Sequence, residues 1–374
     1  MGPTILLDKS TLQSLKATSA HELSRYFYLN VPPVLISEVL ADIEKEPEDA
    51  RCLGIVRSIA RKASPPDSVV NLHYHSLLYS ELLGNPQSIP INSRKPIVGG
   101  GRSVTSSDGR SGVYFGVQPE NEALCRWMAG EFGEQDRKFA QRWREAIEES
   151  NLDEYRNSIG SQGVNIESIA DLAVVIDELL DLPDVQPTLL DLIMTEIRMS
   201  PEVRGWVLHN WRMCDHAVVR DFAPYAHCCL RAKMFIYIGV PQGVVGTRNS
   251  NRIDIEYFHY TPFANIFSSG DKLHKSLAPH LMYPDQSFVP RDKLYDELNA
   301  LAKARESNPH IEPGPGSLIA SLWEKHLGRF HPQAQPREAT SPERNEQIMS
   351  ELKPILDAMN QEQAKQPPPP RWPM

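Results

Sequence analysis

The stretch RIDIEYFHYTPFANIFSSGDKLH at residues 252–274 constrains this chain more than any other. Its spacing predicts a helix carrying Asp254, an apolar strand from Ala264 to Phe267, and a polar loop carrying Asp271. Short apolar strands alternating with helices build open parallel α/β sheets, whose chemistry gathers at the carboxyl ends of the strands. A second strand of this kind, ILL at 5–7, also ends on an acid, Asp8. Two carboxylates that follow strands far apart in sequence are expected at one acidic site, and such a site suits a divalent metal.

Around these two units the chain reads as mainly helical. Helices are expected over 10–28, from VLISEVLADIEK after the paired prolines Pro32 and Pro33, and over 52–63. Residues 68–84 read as helical too, and the Gly- and Ser-rich run at 97–112 as a mobile loop. Further helices are expected over 119–150, 169–182 and 187–197, with a polar break at 157–163. A long helical segment follows over 201–237, divided at Pro224, and a strand-to-helix passage over 289–304. Beyond Glu306 the composition turns to proline and polar residues, with one helix at 341–360 and a disordered tail expected.

Four acids stand out in this frame. Asp8 ends the first strand, Glu38 lies near the start of the helix after the prolines, Asp254 lies on the helix before the late strand, and Asp271 follows that strand. Taken singly, each has a plainer reading: an aspartate behind a strand caps a turn or helix, and a glutamate near a helix start favours the positive end of the dipole. Taken together, their mutual repulsion calls for a cation, and Mg²⁺ or Mn²⁺ suits an all-oxygen donor set. Asp42, one turn beyond Glu38, is a reserve ligand.

The same segments resemble the PIN-like nuclease superfamily. TILLDKSTL is similar to the family's first strand with its acid, PPVLISEVLADI to its acidic helix start, and residues 252–274 to its closing unit. The resemblance implies a three-layer α/β/α sandwich around a central parallel sheet, with a mainly helical insertion and a partly disordered C-terminal tail. It implies core segments at 1–66 and 201–305, an insertion at 67–200, and a helix with a Pro-rich tail at 306–374. It also implies metal-binding, catalytic roles for Asp8, Glu38, Asp254 and Asp271, with Mg²⁺ or Mn²⁺ as cofactor. The substrate would be nucleic acid, RNA ahead of DNA, and the reaction endonucleolytic hydrolysis. Arg252, Ser269, Lys272 and His274 are the residues expected at the substrate.

Other features narrow the alternatives. The net charge of −9 offers no overall attraction for a polyanion, so contact would rest on local cations such as Arg248, Arg252, Lys272 and Lys275. Tyr257, Phe258 and Tyr260 at helical spacing read as core before they read as a base-stacking platform. The histidines, HYH at 73–75 included, lack a companion zinc motif, and VGGGR at 98–102 lacks the Lys-Ser/Thr of a phosphate loop. Five cysteines without a CxxC pair, no membrane-length apolar run and no signal-like N-terminus lead to the expectation of a soluble, cytoplasmic chain. Two rival readings stand: a catalytically silent PIN-like scaffold that binds a protein or RNA through its insertion, and a phosphohydrolase with Asp8 as nucleophile. Homo-oligomerisation or a regulatory protein partner fits the long insertion.

Overall fold

The computed structural model describes residues 2–44, 50–63, 68–84, 89–99, 101–105, 111–115, 119–149, 152 and 166–330. The expected break at 157–163, the helix at 341–360 and the tail lie outside them. Residues 1–331 form one compact unit.

Its centre is a five-stranded, all-parallel sheet. The strands are β1 (Thr4–Leu7), β2 (Tyr28–Val31), β3 (Ser68–Val70), β6 (Ile266–Ser269) and β7 (Ser287–Pro290), ordered β3-β2-β1-β6-β7. All four residues of β1 and of β6 are buried, as a parallel sheet covered on both faces requires. Ile5 sits between Leu29 and Ile266, and Leu7 opposite Ser268.

The chain moves outward from β1 to β2 to β3, then returns past β1 to lay down β6 and β7. With right-handed crossovers, the helices that join β1 to β2 and β2 to β3 and the helix that joins β6 to β7 cover opposite faces. Ala17–Tyr26 packs on Ala50–Ala63 and Arg291–Ser307, while Tyr74–Leu83, Ile169–Asp181 and Lys272–Leu281 each pack on Pro224–Tyr237. The arrangement is compatible with a three-layer sandwich. The order of strands reverses between β1 and β6, the position at whose carboxyl ends open parallel sheets bind ligands.

Several expectations need correction. The helix expected over 10–28 is two helices, Lys9–Ser14 and Ala17–Tyr26, followed by β2. Phe27 leaves the helical region at φ −129° and ψ 150°, and pairing with β1 and β3 then overrides the apolar spacing that favoured a helix. Residues 68–70 form β3 rather than the start of a helix, so the sheet continues past residue 66. The expected 97–112 loop contains β4 (Gly101–Thr105), antiparallel to β5 (Ser111–Phe115). The late strand begins at Ile266 instead of Ala264, because Tyr257–Phe263 is a fully buried 3₁₀ turn. Leu318–Leu327, in the stretch expected to be polar, is a helix capped by Ser317 and ended by Gly328 at φ 70°. Its Trp323 indole donates to the Tyr26 carbonyl, which ties it to the same unit.

Candidate functional site at the carboxyl edge of β1 and β6

Asp8 is positioned by the first residues after β1. Its Oδ1 accepts the Thr11 amide at 2.8 Å, which caps Lys9–Ser14. Its Oδ2 accepts the Ser10 and Ser269 hydroxyls, both at 2.8 Å. The Ser269 contact crosses from β1 to β6, and the Asp8 amide reinforces it by donating to the Ser268 carbonyl. Asp271, two residues past Ser269, caps Lys272–Leu281 by accepting the Leu273 amide at 2.6 Å. The Ser269 hydroxyl oxygen accepts the Asp271 amide at 2.9 Å.

His274 closes this arrangement from below. Its Nε2 lies 2.8 Å from the Asp254 carbonyl, an acceptor only, so Nε2 carries a proton. Its Nδ1 lies 2.7 Å from the Ser269 oxygen and 3.9 Å from Asp8 Oδ2. Ser269 has one hydroxyl proton to offer to two neighbours, so Asp8, Ser269 and His274 form a chain in which the placement of one proton depends on the others. Burial pushes the imidazole down, while Asp8, the Asp254 carbonyl and Asp271 pull it up. Both Ser269 (2% exposed) and His274 (0%) are buried, so they support the acids rather than line the surface.

Glu38 arrives on Pro33–Leu40, which starts at the second of the paired prolines. The Tyr257 hydroxyl donates to its Oε2 at 2.7 Å and accepts the Lys9 amide at 3.3 Å. Lys9 binds the Glu38 carbonyl at 3.1 Å and pairs with Asp42 at 2.8 Å, both side chains being buried. The reserve ligand Asp42 is thus engaged by Lys9. Burial raises the Glu38 carboxyl, Lys9 and Tyr257 draw it down, and Asp8 and Asp42 push it up.

Asp254 lies half-buried on Ser250–Glu256. It shows most directly that the four acids share one field. Burial, then the charges of Asp271 and Glu38, with Asp8 adding and only Arg248 opposing, push its carboxyl from 3.8 up to about 8. Arg252 and Lys272, expected at the substrate, are exposed, as are Arg248 and Lys275.

Three participants escaped the sequence reading. Tyr257 serves the core and the site at once: its ring stacks on Phe267 while its hydroxyl holds Glu38. Lys9 is the buried counter-charge. Arg291, at the carboxyl end of β7, lays its guanidinium against Gly270 in the turn between Ser269 and Asp271. The adjacency of Lys9 to Asp8 was the one signal available in the sequence.

Among the described residues, no group of three or more His, Cys, Asp or Glu side chains is arranged to hold a metal ion. No family model, no curated protein and no solved structure matches this chain.

Proposed function

We propose that this chain is a Mg²⁺- or Mn²⁺-dependent nuclease of PIN-like fold, an endonuclease acting on RNA ahead of DNA. The observation that supports the reading is that Asp254, raised to about 8 first by burial, is raised further by the charges of Asp271, Glu38 and Asp8, acids carried on separate elements near the point where the strand order reverses. The donor set is all oxygen, and Glu38 and Asp271 each use one carboxylate oxygen in the hydrogen bonds described above. A hard cation that keeps several waters fits such a set by its chemistry. When bound, it supplies Lewis-acid polarisation of the phosphodiester and a more acidic water.

The chain's own residues prepare the site. Thr11, Ser10 and Ser269 fix the Asp8 carboxylate, Leu273 fixes Asp271, and Tyr257 fixes Glu38. Three of the four acids are therefore held before substrate arrives, which lowers the reorganisation needed during reaction. The exposed cations Arg248, Arg252, Lys272 and Lys275 offset the acidic field for an incoming phosphate.

The test is cleavage of labelled single-stranded RNA, structured RNA and DNA with Mg²⁺, Mn²⁺ or EDTA, beside an Asp8→Asn/Asp271→Asn double variant. Cleavage lost in EDTA and in the variant is expected; metal-dependent cleavage that survives the double substitution refutes the reading. The silent-scaffold reading draws on a specific observation: both oxygens of Asp8 already accept protein hydrogen bonds, and no described group is arranged to hold an ion. Calorimetric titration with Mn²⁺ separates the two, since a silent scaffold need not bind the metal. No described helix is long and apolar enough to cross a membrane.

A further inference from the structure

The acids that would hold a cation also repel a phosphodiester, and the chain's net charge of −9 adds to that repulsion. A substrate phosphate at this edge needs a fixed positive group beside the acids. Lys9 is consumed by Asp42 and the Glu38 carbonyl. Arg248, Arg252, Lys272 and Lys275 are exposed on the surface. Arg291 differs from all of them.

A Cβ built on Gly270 would lie 2.9 Å from Arg291 Cζ and 3.0 Å from both Nε and Nη1. The guanidinium therefore fills the space that any other side chain at residue 270 would need. Gly270 does not have a left-handed backbone, so the glycine is required for that space and not for its φ. Its neighbours are Ser269, bonded to Asp8, and Asp271. The guanidinium is thus held at the rim of the acid cluster. Only Nε is engaged, by the exposed side chain of Asp292 at 3.0 Å, and the terminal nitrogens bond no described residue. The side chain remains 36% exposed, enough to meet a ligand. Arg291 also stands in the first turn of Arg291–Ser307, where the helix dipole disfavours a cation, so its placement serves something other than the helix.

We propose that Arg291 is a substrate-binding residue that grips a non-bridging phosphate oxygen of the nucleic-acid backbone through its terminal nitrogens, with Gly270 providing its seat. A planar guanidinium already packed in place suits a phosphate better than a free lysine does, because less freedom is lost on binding. This rests on the nuclease reading for the substrate class.

The experiment measures binding of a short fluorescein-labelled single-stranded RNA and its DNA equivalent to the full chain in EDTA, by anisotropy over a range of salt. Cleavage kinetics with Mn²⁺ run alongside. Arg291→Ala is expected to raise Kd and KM about tenfold with kcat little changed, and to lower the slope of log K against log salt by about 1. Arg291→Lys recovers part of the loss. Gly270→Ala meets only the end of a flexible side chain, so it folds, displaces the guanidinium and reproduces the Arg291→Ala loss. Binding within about twofold of wild type in both Arg291→Ala and Gly270→Ala overturns the assignment while leaving the nuclease reading intact. Arg291-dependent binding without cleavage sustains the assignment and sinks the nuclease reading. Failure of the wild type to bind either polymer overturns both.

Discussion

Replacing Asp254 by asparagine tests whether burial and the neighbouring acids keep this carboxyl protonated in the folded chain. The unfolded chain ionises this carboxyl near 3.8, whereas the folded chain holds the proton until about 8. Between those values the folded state binds more protons than the unfolded state, so stability falls as pH rises and levels off above the folded value. Neutral pH lies about three units above the unfolded value, and at about 1.4 kcal/mol per unit the upper bound is about 4 kcal/mol. Asp254 is half-buried, so water screens part of the repulsion, and about 2 kcal/mol is the expected gain for Asp254→Asn at neutral pH. The substitution keeps the backbone carbonyl that accepts from His274. Urea unfolding in EDTA, repeated from about pH 5 to about pH 8, measures the effect. The variant's advantage should grow with pH over that range, with a residual slope from Glu38, whose carboxyl is also raised. A difference independent of pH, or a variant less stable than wild type at neutral pH, refutes the raised Asp254 carboxyl. Added Mg²⁺ should stabilise the wild type more at the upper end of the range than at the lower, because the cation competes with the proton held there.

Three further substitutions probe the supporting structure. Ser269→Ala removes the group linking Asp8, Asp271 and His274, and should cost about 10- to 100-fold in Mn²⁺ affinity or cleavage, read by calorimetry and initial rates. Tyr257→Phe keeps the ring in the core but frees Glu38; a loss of about 1 kcal/mol in urea unfolding with a larger proportional fall in cleavage is expected, and unchanged cleavage would detach Tyr257 from the site. Glu81→Ala leaves the buried amides of Tyr225 and Ala226 without their acceptor at the start of Pro224–Tyr237, and should destabilise the chain by about 2 kcal/mol in urea unfolding.

The positions of the acids were legible because strands and caps have local signatures. ILL followed by Asp8, the paired prolines before Glu38, and SSGD after an apolar run each state their structure within a few residues. The sheet itself was less legible. YLNV and SVV are too short to declare themselves against neighbouring helices; β1 offered unsatisfied backbone groups to the first, which became β2, and β2 in turn offered its own to the second, which became β3. The Gly- and Ser-rich segment carried a loop's composition, yet cross-strand pairing made it β4 and β5.

What the sequence by itself determined was which residues lie behind strands and at helix starts, since propensity, capping and proline geometry act between near neighbours. Only the tertiary structure decided what those residues touch. It placed Ser269 and His274 beneath Asp8 rather than at the surface, spent Lys9 on Asp42, gave Tyr257 a second task at Glu38, and seated Arg291 on Gly270. Each of these contacts joins separate elements of the fold: Ser269 lies 261 residues from Asp8, and Tyr257 lies 219 residues from Glu38. No local rule reaches that far: such pairs meet because the buried strands β1 and β6 align side by side, and the hydrophobic gain of that alignment fixes the register on which every polar contact at the site depends.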